Sequence, residues 1–198
     1  MASQGYFFNQ RTPTGLLIAQ TIGITASAYL LGQNASLSFI SVPAVMQAPA
    51  PLAAKQWFTV LNLGGTFGIP LAIGSGLATA YVASQQDASS TAFKLNLAAT
   101  IFLPSIVPFT LVFIRPVNNK LIEKMKSMSS ASLEDKAIEA NVAEGETTHA
   151  LIDKWATLNL ARAGLIAIGA ICAALAAVDK REIVGFQEIG LASGANRM

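Results

Sequence analysis

Near the C-terminal end of this 198-residue chain runs the segment KWATLNLARAGLIAIGAICAAL, residues 154–175. Trp155, Asn159 and Arg162 are spaced i, i+4, i+7 within it and share one helical face. Arg162 falls roughly 10 Å along the helix from Trp155, at a depth where the chain has become apolar. A guanidinium there costs on the order of a few kcal/mol unless it reaches the interface or meets a partner. Three readings compete. The arginine snorkels to lipid headgroups with Trp155 as an interface anchor. Alternatively it is half of a buried structural pair. In the third reading it lines a substrate pocket inside the bundle, with Asn159 as a second polar handle.

Composition favours a lipid setting for this face. Hydrophobic residues make up 53% of the chain and charged residues 12%, with mean hydropathy +0.50. A soluble domain carries roughly 25% charged residues. No charge falls between Arg11 and Lys55, between Lys55 and Asp87, or between Lys94 and Arg115. The expected fold is all-α: an integral-membrane four-helix bundle with spans at about residues 14–33, 57–84, 93–114 and 155–178. Each is near or above the roughly 20 residues that cross a hydrocarbon core. Residues 1–198 read as one membrane domain, with a charged, partly helical loop over 115–153 and a connection between the first two spans that is uncharged until Lys55. The N-terminus lacks the basic start of a cleavable signal, so the first apolar run reads as a retained helix.

Other classes find little support. The net charge of +2 is too small to imply nucleic acid. The one cysteine, Cys172, rules out an internal disulfide or paired-cysteine redox chemistry. With one histidine and the acidic residues gathered in the loop, no metal-ligand set has workable spacing. Glycines such as Gly64, Gly65, Gly68, Gly76 and Gly169 read as close helix packing. Pro70, Pro104 and Pro108 free backbone carbonyls inside the spans, which neighbouring groups must satisfy. The loop side carries two more Lys and Arg than the opposite side, which favours the loop as cytoplasmic.

Four short segments, in order, carry a resemblance: SLSFISVPAV, KQWFTVLNLGGTFGIPLAI, SIVPFTLVFIRPVNNKL and KWATLNLAR. Together they resemble the small integral-membrane family that includes the fungal anthrone oxygenases, whose signature reads Lys-Trp-x-x-Leu-Asn-x-x-Arg. Ile114 and Val117 stand where that family usually has Met and Thr. The resemblance implies oxidation of an anthrone-type aromatic polyketide to an anthraquinone by O₂, with no cofactor, whether flavin, haem or metal. The anthrone CH₂ loses a proton to give an aromatic enolate, which reacts with O₂. The protein must then supply a flat apolar pocket, a base and a donor to the enolate oxygen.

On that reading Arg162 and Asn159 are the donors, and His149 or Lys154 the base. Trp155 and Trp57, with Phe67 and Phe109, would supply the flat walls, and Gln56 and Asn118 further ligand contacts. The implied partners are a small lipophilic aromatic substrate, O₂ and the bilayer, with a homo-oligomer left open. The implied location is a eukaryotic endomembrane, the organelle unspecified. The alternative is a non-catalytic membrane module that binds or passes a lipophilic molecule, or assembles with a partner enzyme.

Overall fold

A computed structural model describes residues 13–135 and 137–194, with 180–194 as backbone only. The polar segment before Pro13, Lys136, Arg197 and the side chains of Lys180 and Arg181, all used in the charge and signal readings above, lie outside the described residues. The fold is all-α, with four helices long and apolar enough to cross a membrane. They are α1 (Thr14–Val45), α2 (Ala50–Ser84), α3 (Thr91–Ser127) and α4 (Thr148–Gly194). Each packs on its neighbours in sequence, and α1 closes the ring against α4. Among the described residues there is no strand.

The first connection differs from the expected loop. The chain stays helical past Asn34 to Val45, through a wider π turn at Leu37–Ser41. Apolar side chains continue across this stretch, and the hydroxyls of Ser36 and Ser38 bond to the carbonyls of Gln33 and Ala156 (2.8 and 2.9 Å). At roughly 1.5 Å per residue, α1 therefore outruns the 30 Å core. A second π turn, Thr110–Ile114, follows Pro108 in α3. There the Thr110 hydroxyl donates to the Ile106 carbonyl at 2.7 Å, a second bond to an oxygen that the Thr110 backbone N–H also reaches.

The polar connection is fastened through Glu139. Glu139 accepts from Lys124 Nζ (2.8 Å), from the Thr148 backbone N–H (2.9 Å) and from the Thr148 hydroxyl (3.0 Å). A carboxylate is thus placed on the free N–H groups opening α4. Burial raises the Glu139 carboxyl, but the bonds from Lys124 and Thr148 outweigh it and hold it below the ordinary range.

Two apolar clusters occupy the ends of the bundle. One gathers Trp57, Ile114, Leu121, Ile152 and Trp155 near the polar connection. The other gathers Leu30, Ala72, Ala99, Leu103 and Ile166. At this second end a Cβ on Gly169 would lie 2.7 Å from Leu103 Cγ, so only glycine allows α3 and α4 to approach that closely. Between the clusters the packing is incomplete, and the polar face of α4 lies there.

Candidate active site

The space between the clusters is a cavity of about 110 Å³. Its lining includes Asn34 and Leu37 of α1, Gly64, Gly65, Gly68 and Ile69 of α2, Ile106 and Thr110 of α3, and Trp155 and Arg162 of α4. Most of this wall is apolar.

Arg162 turns inward, because the helical phase that buries Trp155 and Asn159 carries it to the same side. Its Nη1 donates to Thr110 Oγ1 at 3.2 Å, and its Nη2 donates to Asn159 Oδ1. Both acceptors are neutral. Among the described residues no carboxylate pairs with it; the ion pairs present are Lys120–Glu146 and Lys124–Glu139, both at the polar connection. The Nε is buried with no hydrogen-bond partner.

Asn159 has no exposed surface and lies behind the cavity wall rather than in it. Its Nδ2 donates to the Asn34 backbone carbonyl at 3.0 Å while its Oδ1 accepts from Arg162. Both functional groups are thereby occupied, so Asn159 holds the guanidinium instead of offering a second donor to a guest. Trp155 does line the cavity, and its indole Nε1 is buried without a partner. Trp57 meets it edge to face, with centroids 6.0 Å apart and planes at 89°, and supports it from outside the lining. Asn118 of α3 also lines the cavity, its Oδ1 likewise unpartnered.

The remaining expected site residues are not brought together with these. His149 is thirteen residues before Arg162, roughly 20 Å along α4, where its Nε2 lies 2.9 Å from the Ala48 carbonyl. The expected base thus ties α4 to the α1–α2 connection. Lys154 is exposed, since it is one residue out of phase with Trp155. Gln56 is exposed on a shallow surface groove beside Ser41 and Thr59. Phe67 is 61% exposed and points away from the bundle, whereas Phe109 packs against the tryptophan cluster.

Sequence reasoning missed three contributors. Thr110 sits in the quoted PFT run, and its hydroxyl is aimed by the π turn that follows. Asn34 is 3% exposed and lines the cavity, and its Oδ1 has no partner. Gly65 and Gly68 were read as packing residues, but a Cβ at either would meet nothing within 4 Å.

Comparison with known proteins bears on this geometry. The chain matches the family described as anthrone oxygenase over residues 57–172, which takes in α2, α3 and the Trp155–Arg162 face. It is 26% identical to the monooxygenase hypC of Dothistroma septosporum, covering 80% of this chain and 86% of that protein. It is 27% identical to the anthrone oxygenase encC of Aspergillus fumigatus (83% and 95%) and 29% identical to the anthrone oxygenase AgnL2 of Paecilomyces divaricatus (79% and 93%). No solved structure matches. A four-helix chain whose match runs through the cavity-lining helices and nearly the full length of these relatives belongs to the anthrone oxygenase family, and is a monooxygenase by that membership.

Proposed function

We propose that this chain is a membrane-embedded oxygenase that converts an anthrone-type aromatic polyketide to the anthraquinone, with O₂ as oxidant and Arg162 steadying the enolate. One observation carries the reading: an uncompensated guanidinium, oriented by two neutral acceptors, stands in the wall of a mostly apolar cavity. Maintaining such a charge away from water is expensive. It becomes useful when negative charge forms beside it, because a preoriented donor in a water-poor site needs no reorganisation.

In this reading the anthrone carbonyl oxygen rests against Arg162, with the Trp155 N–H as the second donor. Loss of a CH₂ proton then places the charge on that oxygen. The cavity lining contains no carboxylate, imidazole or amine, so Arg162 acts by making the bound guest more acidic, and the proton leaves to water. The enolate passes one electron to O₂, and the radical pair combines into a C–O–O⁻ peroxide that takes up a proton. Loss of the remaining C–H proton breaks the O–O bond and expels hydroxide. The products are one quinone carbonyl and one water, so CH₂ and O₂ balance.

The test is turnover in isolated membranes. Anthrone added to membranes containing the protein should yield quinone above the spontaneous rate. Arg162→Ala should lower kcat/KM by about 10²–10³-fold, the cost of one oxyanion donor. Equal rates for wild type and variant, with both present in the membrane, would remove Arg162 from the mechanism.

A further inference from the structure

The cavity has one unfinished wall. Helices α2 and α3 touch at two places: Gly76 backs onto Pro104, with Thr79 and Thr100 hydroxyls 3.0 Å apart, and Trp57 clusters with Ile114, Val117 and Leu121. Between those contacts the helices stand apart. Gly64 packs on Leu37 of α1, and the α2 residues left to face the gap are Gly65, Gly68 and Ile69, of which Gly65 is exposed and Ile69 is 49% exposed. Gly65 and Gly68 have open space where a side chain would stand. The surroundings are apolar: Leu63, Phe67, Leu111, Val112 and Phe113 are all more than half exposed on the flanking surfaces of the two helices.

A run of glycines alone would mean little. Behind this one, however, Asn34 is 3% exposed and Trp155 2% exposed, and each has a side-chain polar atom with no partner while lining the same cavity. Polar atoms buried at that depth are ordinarily satisfied. A guest in the cavity would supply the missing partners. The cavity, at about 110 Å³, is also smaller than the ~300 Å³ that encloses a drug-sized ligand, so a tricyclic guest cannot be contained without using the gap.

The geometry points to a lateral entrance between α2 and α3, through which a flat aromatic substrate slides from the bilayer, with Gly65 and Gly68 setting the width it may have. One edge of the guest reaches Arg162, Trp155 and the Asn34 Oδ1, and its flat face lies along the glycines. This inference rests on the oxygenase reading for the identity of the guest, but not for the route.

The experiment compares wild type, Gly68→Leu and Gly74→Leu in proteoliposomes. Gly74 also has nothing within 4 Å of a built Cβ and lies outside the cavity, so it reports the cost of a leucine on α2 alone. With an anthrone, Gly68→Leu should raise KM at least tenfold with kcat within threefold, and Gly74→Leu should match wild type. In parallel, a tricyclic anthraquinone added to the vesicles should quench tryptophan emission saturably in wild type and Gly74→Leu but not in Gly68→Leu. Unchanged KM and quenching in Gly68→Leu, or equal losses in both variants, overturns the entrance while leaving the oxygenase reading intact. Wild type without turnover overturns the oxygenase reading, and the quenching comparison still decides the entrance.

Discussion

At the scale of single residues, the site is a chain of neutral hydrogen bonds that ends in one charge. The Asn34 carbonyl holds Asn159, Asn159 holds Arg162, and Thr110 fixes the other arm of the guanidinium. A planar fork suits this arrangement, since two nitrogens are held while Nε stays free; a lysine ammonium has no such geometry. The same scale corrects the assignment of a base. His149 and Lys154 carry the groups best suited to proton transfer, yet one is bonded to Ala48 and the other faces out. We therefore expect His149→Ala and Lys154→Ala each to keep kcat within twofold of wild type in the membrane assay. A hundredfold loss with either, at normal protein level, would return that residue to the chemistry. The donor proposed here, Arg162, stands out in the sequence because a cation in a lipid-length helix is conspicuous. The roles of Thr110 and Asn34 were not, because a hydroxyl or amide in such a helix bonds to its own backbone by default, and both do so here as well.

At the scale of elements, helices α1 and α3 each carry a π turn level with the cavity, and these turns re-aim side chains that regular helices would send elsewhere. Proline positions hinted at the break in α3 but gave no direction for it. The polar connection makes its own testable statement. Because the folded-state Glu139 carboxyl lies below its unfolded value of about 4.5, the unfolded chain binds the extra proton as pH falls. The stabilisation from Glu139 is therefore complete above that value and is lost as pH drops toward the lowered folded value. A partly exposed cap with an ion pair contributes on the order of 1 kcal/mol, or about 2–4 °C in a chain of this size. Glu139→Gln should accordingly melt a few degrees lower than wild type in detergent at pH 7, with the difference shrinking as pH falls below about 4.5. A difference independent of pH would mean that Glu139 acts by packing alone.

At the scale of the whole molecule, the outer surface of the bundle is apolar along its length, from Ile18 on α1 through Leu77 on α2 and Ile101 on α3 to Leu175 on α4. Such a surface belongs in lipid, and the opening between α2 and α3 lies within it. A lipophilic guest dissolved in the bilayer then meets the site without crossing water. By the positive-inside rule, the connection carrying Arg115, Lys120, Lys124 and Lys126 is expected on the cytoplasmic side. A protease-sensitive tag inserted after Ser130 should therefore be cleaved in sealed vesicles with their cytoplasmic face outward. Protection of the tag would reverse the assignment.

The sequence by itself determined the number of helices, their apolar character, the family and the one guanidinium worth following. These are properties of composition, period and length, each written in residues a few positions apart. It misjudged which glycines pack, which tryptophan meets the cavity, and which groups stay free to touch a guest. Those outcomes depend on how far apart α2 and α3 stand and on how the π turns rotate α1 and α3. Both are settled by the simultaneous packing of four helices around Gly169, Gly76 and the tryptophan pair. A vacancy between helices is a relation among residues distant in the chain, so only the folded molecule contains it.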